Sequence, residues 1–313
     1  MGEKCLVAKI QRWAIHDGPG IRTLVLLVGC NVRCFWCHNP ETIGGKNTVY
    51  WKKMLCVQCG LCIESCPVGA IYPPIPVEEA REEGSAYHKI DRSLCNNCMK
   101  CVEACAYGAL EQTAKLMTVD EVLDEVIRDE PFYRHSGGGM TVGGGEPTVC
   151  LEYLLELLRK GKEKGLNICL DTNGVASWKI YEETLPFVDV YLIDIKNMDS
   201  EAHMKGTGIG NEKILENIRK LSEAGAAIRI RVPVIYDFND FEENFEKMGE
   251  FLKSLPNPVD VVDLLPFHNW CQDKYGWLGI DWPLKDEEAM DPMEVEDFRN
   301  VIESYGIKCT IGG

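Results

Sequence analysis

Eleven of the sixteen cysteines in this 313-residue chain stand in three tight groups: Cys30/Cys34/Cys37, Cys56/Cys59/Cys62/Cys66 and Cys95/Cys98/Cys101/Cys105. Sixteen thiols exceed what core filling needs, and disulfides are disfavoured in a reducing compartment. Cysteines two or three residues apart point instead to metal, so the fold must gather each group around a site. The other five, Cys5, Cys150, Cys169, Cys271 and Cys309, are scattered and are expected to pack as small apolar side chains. The rest of the composition is that of an ordinary globular protein, 45% hydrophobic and 26% charged. No apolar run approaches the roughly 20 residues of a membrane span, and Met1–Ile10 lacks a charged-then-apolar leader. We therefore expect a cytoplasmic protein with no membrane partner. The net charge of −16 leaves no excess of cations to displace phosphate counterions, which argues against nucleic acid.

The second and third groups belong to an internal duplication. "CVQCGLCIESCPVGAI" from Cys56 and "CNNCMKCVEACAYGAL" from Cys95 align without a gap. We read residues 53–112 as an inserted α+β domain, with residues 1–52 and 113–313 forming the two parts of the host. C-x2-C-x2-C-x3-C-P is the bacterial ferredoxin ligand run, in which the fourth cysteine serves the other cluster. Residues 56–67 match it in full; the second copy has Ala106 in place of proline. One [4Fe–4S] cluster is thus expected on Cys56, Cys59, Cys62 and Cys105, the other on Cys95, Cys98, Cys101 and Cys66. Zinc is the competing reading, but it uses four ligands and leaves the third close cysteine of each run without a role. Clusters with four thiolates have no open position, which makes them an electron relay.

Cys30-x3-Cys34-x2-Cys37 offers only three thiolates, with no fourth cysteine nearby. A cubane held this way leaves one iron open, the mark of a catalytic site. On either side of the insert, apolar runs alternate with amphipathic stretches. Strands are expected over Thr23–Val28, Met140–Val142, Asn167–Leu170, Val188–Ile193, Ile228–Val234 and Val259–Leu265. Helices are expected from the capping box Thr118–Glu121 towards Asp129 and over Leu151–Lys164, Glu212–Ala224, Phe241–Leu255 and Glu294–Tyr305. Gly165 and Gly225 are placed as C-caps. Repeated β–α units imply a parallel sheet, here a partial (β/α)6 barrel, with the cysteine triplet at its C-terminal mouth.

C-x3-C-x2-C with an aromatic, Trp36, before the last cysteine is the signature of the radical S-adenosylmethionine (radical SAM) superfamily. The wider stretch "IHDGPGIRTLVLLVGCNVRCFWCHNPET" resembles the activating enzymes of glycyl radical enzymes, in particular the sub-group with a two-cluster insert. The resemblance runs from Ile10 to about Tyr305 and implies several site residues. Gly144, Gly145 and Glu146, in Gly143-Gly144-Gly145-Glu146-Pro147, would meet the amino group of S-adenosylmethionine; the glycine-rich Ser136–Met140 matches as well. Asp171 and Thr172 would hold a monovalent cation beside the methionine carboxylate, and Asp194 and Lys196 would lie at that carboxylate. Arg231 and His268 would grip the cofactor, and Asp17 would sit near a bound glycine segment. Most of these fall at the ends of separate expected strands, which converge on one mouth in a parallel barrel.

The family activity implied is reductive cleavage of S-adenosylmethionine to a 5′-deoxyadenosyl radical that takes a hydrogen atom from a backbone glycine of a large partner enzyme. The electron would come from an external low-potential donor such as flavodoxin or ferredoxin. Three [4Fe–4S] clusters are implied in all. The same chemistry on another peptide or a small molecule is an alternative; a plain electron carrier and a zinc-stabilised binding module are others. Tyr236-Asp237 departs from the family's Pro-Gly, and Phe267 replaces the tyrosine of its Pro-Tyr-His.

Overall fold

The computed structural model describes residues 3–82 and 87–312. The strands are β1 Lys4–Ala14, β2 Arg22–Leu27, β3 Val49–Trp51, β4 Leu110–Gln112, β5 Lys115–Thr118, β6 Gly139–Gly144, β7 Ile168–Thr172, β8 Val190–Asp194, β9 Ile228–Val234, β10 Val261–Pro266 and β11 Cys309–Ile311. Nine form one sheet in the order β11-β10-β9-β8-β7-β6-β2-β1-β5. From β2 to β11 every pairing is parallel. All six expected barrel strands are present. The structure adds β11 at one edge and the antiparallel β1 and β5 at the other. β5 and β11 were invisible in the sequence because four- and three-residue strands carry no readable alternation.

The sheet curls. Neighbouring strands lie about 4.8 Å apart, so β2 and β10, five positions apart, would be about 24 Å apart in a flat sheet. Yet Cys30, three residues after β2, lines the same cavity as Leu265 and Pro266 at the end of β10. The strand ends therefore close on one another as a partial barrel. Its core is continuous, from Val25 and Leu27 through Leu170 and Ile193 to Val232 and Leu264. Most barrel strands are buried on both faces because helices cover them outside, which explains their apolar runs; β9 instead alternates, with Arg229 and Arg231 on its half-buried face.

The expected helices form over Val119–Ile127, Leu151–Glu163, Glu212–Glu223, Glu242–Lys253 and Glu296–Ser304. Thr118 and Glu121 complete the reciprocal capping box. Gly165 and Gly225 both take the left-handed conformation after their helices. The last helix begins later than expected because a short 3₁₀ turn, Pro292–Val295, capped by Asp291, precedes it.

At the closed end of the barrel Arg22 is fully buried and donates to Thr141 Oγ1, Pro19 O, Asn167 Oδ1 and Met140 O. It holds the turn before β2 inside the strands. Gly138 and Gly139 are needed here for space: a Cβ on either would lie 1.8 Å from Ile21 O or 2.0 Å from Asn167 O.

Between β2 and β5 the chain forms a second unit. β3 and β4 pair antiparallel and tie its ends together. A separate apolar cluster of Val49, Trp51, Cys62, Ile71, Ile90, Cys101 and Leu110 fills it. The duplication persists in the backbone: Gln58 and Asn97, equivalent in the two runs, share left-handed φ values of 55° and 54°. Of the scattered cysteines, Cys5, Cys169, Cys271 and Cys309 are buried as expected. Cys150 is only half-buried, and its Sγ lies 3.0 Å from that of Cys5. Among the described residues no helix is long and apolar enough to cross a membrane.

Candidate active site

Cys30, Cys34 and Cys37 lie on the loop that leaves the C-terminal end of β2, and all three line a cavity of about 540 Å³ at the barrel mouth. Trp36, Gly144, Gly145, Asp171, Thr172, Asp194, Lys196, Arg231 and His268 line the same cavity. Its size is that of a small-molecule or cofactor site.

The loop's position is set by the turn after β6. Gly145 N–H donates to Leu27 O at 3.0 Å, and Glu146 N–H to Gly29 O at 2.6 Å. A Cβ at residue 145 would lie 2.1 Å from Gly29 O, and one at residue 144 would lie 2.5 Å from Leu27 N and O. Gly144 also has φ +121°, a conformation open to glycine alone. The glycines thus let one backbone lie directly on another, and the cysteine loop is clamped to β6.

Glu146 is buried and turned towards β7. Its carboxylate accepts from Thr148 N–H (3.1 Å), Thr148 Oγ1 (2.6 Å), Thr172 Oγ1 (2.9 Å) and Asn173 N–H (2.7 Å). Burial raises its pKa and these four donors work against that. The side chain ties the ends of β6 and β7 together, while the backbone of the turn faces the cavity.

Across the mouth, charges alternate. Arg231 of β9 donates to Asp171 Oδ2 at 3.2 Å and to Asp17 Oδ1 at 3.4 Å. Burial disfavours its charge, but Asp171 and Asp17 outweigh this and raise its pKa. Lys196 is buried and bonded to Asp194. Burial opposes its charge as well, and Asp194 overcomes it. Burial raises Asp171 to about 7 against the pull of Arg231, with Asp194 and Asp17 adding to the rise. Thr172 Oγ1 faces Glu146 and Tyr181. Asp17 reaches this group because the β1–β2 turn threads the barrel interior, where Thr141 Oγ1 donates to Asp17 O at 2.7 Å.

Trp36 is buried with its ring 4.7 Å from both Phe35 and Phe238, which locks the cysteine loop against the segment after β9. His38 was not singled out in the sequence. Its ring lies against His268, whose other neighbour is Trp270, 82% exposed at the rim. Burial, helped by His268 and Lys274, pushes His38 down to about 4. Phe267 is buried among Tyr236, Trp282 and His38. Asp237 takes the left-handed conformation, and Tyr236 OH donates to Glu294 Oε1, so this turn is shaped without the family's Pro-Gly.

The residues fit the groups the sequence implies. Burial pushes the Cys34 thiol up to about 11 and Cys37 up to about 12, so a bound cation is what would draw off their protons. The carboxylates at Asp171 and Asp194 suit an ammonium or sulfonium, and Lys196 and Arg231 suit a carboxylate. In the inserted unit the thiols interleave. Cys56, Cys59, Cys62 and Cys105 line one cavity; Cys66, Cys95, Cys98 and Cys101 line another. Each set draws its fourth member from the other run.

Residues 95–252 match the Radical SAM superfamily and residues 45–109 the 4Fe-4S dicluster domain. The chain is a radical SAM protein with a dicluster insert, so iron–sulfur clusters and S-adenosylmethionine are its cofactors. Three curated relatives align along nearly the whole chain. Indoleacetate decarboxylase activating enzyme of Tractidigestivibacter scatoligenes is 35% identical, over 98% of this chain and 97% of its own. Choline trimethylamine-lyase activating enzyme of Oleidesulfovibrio alaskensis is 34% identical, over 98% of both. Trans-4-hydroxy-L-proline dehydratase activating enzyme of Clostridioides difficile is 38% identical, over 98% and 99%. Within the superfamily the chain belongs to the activating enzymes of glycyl radical enzymes.

Proposed function

We propose that Cys30, Cys34 and Cys37 hold the catalytic [4Fe–4S] cluster, and that the two insert sets hold two more, three in all. The observation that carries this reading is the single cavity shared by the cysteine loop, the Gly144–Gly145 backbone and the charged residues of β7, β8 and β9. The clusters supply the low-potential electron and an open iron for reductive cleavage of S-adenosylmethionine. The Gly144–Gly145 backbone receives the methionine amino group, and Glu146 fixes the turn that presents it. Lys196 and Arg231 take the methionine carboxylate, with a monovalent cation on Asp171 and Thr172 beside it. Trp36 and His268 hold the remainder of the cofactor, and Asp17 faces the incoming peptide.

That peptide is a glycine-bearing loop of a large glycyl radical enzyme; lacking a side chain, the glycine offers its Cα–H without obstruction. A flavodoxin- or ferredoxin-type donor reduces the protein, in the cytoplasm, with no nucleic acid or membrane involved.

The test pairs the wild type with Cys34→Ala under reducing, oxygen-free conditions. The variant should keep the iron of the insert and lose 5′-deoxyadenosine formation. The wild type mixed with its glycyl radical partner should give a glycine-centred EPR doublet. Native 5′-deoxyadenosine yield from Cys34→Ala would overturn the assignment of the catalytic loop, and cleavage without a glycine signal would overturn that of the partner.

A further inference from the structure

The two halves of the insert share a backbone but not their charges. Gln58 and Asn97 occupy equivalent places in the two cysteine runs. Asn97 Oδ1 accepts from a neutral group, Thr48 Oγ1, at 3.1 Å. Gln58 Oε1 accepts from the Lys89 ammonium at 2.6 Å. Lys89 is 1% exposed and lines the cavity of Cys56, Cys59, Cys62 and Cys105. Among the described residues no carboxylate pairs with it.

An ammonium withdrawn from water with one neutral amide for company is strongly disfavoured unless an anion shares its cavity. A cubane on four thiolates is such an anion, and it becomes more negative on accepting an electron. Arg81 adds a second cation on this side, donating to Cys56 O at 3.2 Å. On the other side Arg92 lies close enough to Cys95 and Cys101 to act on them electrostatically, but from outside their cavity. Hydrogen bonds to Leu278 O, Thr48 Oγ1, Val49 O and Trp277 O fix its guanidinium there, whereas the Lys89 ammonium lies in the cavity itself.

We infer that Lys89 is the residue that makes the two insert clusters unequal: it raises the reduction potential of the cluster on Cys56, Cys59, Cys62 and Cys105 above that of its twin. An electron from a one-electron iron–sulfur or flavin donor then comes to rest on that cluster, which passes from its oxidised to its singly reduced state with no bond made or broken. The inference rests on the ligand sets proposed above. Lys89 acts on the cluster by its field and is a positioning residue, not a catalytic one.

The test is an EPR-monitored redox titration, with iron and sulfide analysis, of anaerobically purified full-length wild type, Lys89→Met and Lys89→Arg. With full iron, Lys89→Met should weaken reduction of one cluster at least tenfold, a fall of about 59 mV for a one-electron step. The other cluster should stay where it was, and Lys89→Arg should remain near the wild type. Loss of one cluster's iron in Lys89→Met, restored in Lys89→Arg, would equally support a need for charge. Unchanged potentials, equal shifts in both clusters, or the same iron loss in both variants would overturn the inference. Wild-type protein without iron and sulfide would instead refute the cluster reading beneath it.

Discussion

Gly145→Ala tests how the cysteine loop is held. The new Cβ would lie 2.1 Å from Gly29 O and 3.2 Å from the Cys30 Cβ, so the turn after β6 must back away from the loop by more than ~1 Å to reach ordinary contact. That movement breaks two buried hydrogen bonds, Gly145 N–H to Leu27 O and Glu146 N–H to Gly29 O. At about 1 kcal/mol each, with about 1–3 kcal/mol of overpacking, the local cost is about 3–5 kcal/mol. It falls on the triplet loop and leaves the inserted unit untouched. Iron per chain, S-adenosylmethionine affinity and the thermal unfolding midpoint should be measured side by side. We expect insert iron at the native level, loss of the iron at Cys30/Cys34/Cys37 or at least tenfold weaker S-adenosylmethionine binding, and a lowered midpoint. Gly44→Ala is the control: no atom lies within 4 Å of its Cβ position, and its φ of −77° suits alanine. Native iron and affinity in Gly145→Ala would refute the clamp.

Other perturbations separate the remaining parts of the molecule. Cys105→Ser should disturb the cluster of the first run, despite lying in the second, so EPR of the reduced protein should change for the cluster that Lys89 faces. Lys196→Met should weaken S-adenosylmethionine binding by tenfold or more in isothermal titration while iron stays native, since Lys196 is buried in the cavity beside Asp194. Asp129→Asn should destabilise the fold by about 3 kcal/mol, because buried Asp129 binds Arg12 Nε at 2.9 Å and Thr23 Oγ1 at 2.7 Å and so ties β1 and β2 to the helix before it. Burial opposes the Asp129 charge but Arg12 and Thr23 outweigh it and lower the pKa. The stabilisation is therefore complete above the unfolded value of about 3.9 and is lost as pH falls below it; the variant's stability curve should lack that acid-side slope in thermal melts.

The sequence disclosed what local chemistry encodes. Cysteine spacing is local, so the sets on Cys56–Cys66 and Cys95–Cys105 could be written down, interleaving included, before any fold was known. The apolar run Thr23–Val28 and the Thr118 cap announce themselves by run length and by a side chain three residues from its partner. Roles that depend on distant neighbours did not show. The bonds of the Glu146 carboxylate to Thr172 and Asn173, 26 and 27 residues on, could not be read from its own motif. His38 follows Cys37 directly, yet its partner His268 is 230 residues away. Lys89 looks like a surface lysine in an irregular stretch until the chain buries it.

The helix Gln272–Leu278 was equally silent, being too short for a period, and it joins the two halves of the site. On one side Tyr275 OH donates to Cys37 O at 2.8 Å, and Lys274 Nζ donates to His38 O, Asn39 Oδ1 and Glu41 Oε1. On the other, Arg92 donates to Leu278 O and Trp277 O, the Tyr50 ring lies 5.4 Å from Trp277, and Lys52 lies over the same indole. Two consecutive turns thus touch both the triplet loop and the inserted unit, and Tyr275 is itself stacked on Trp282. A unit joined to its host only through the chain ends at β3 and β4 would be free to swing. These polar and aromatic contacts remove that freedom and fix the inserted unit against the loop that carries Cys37.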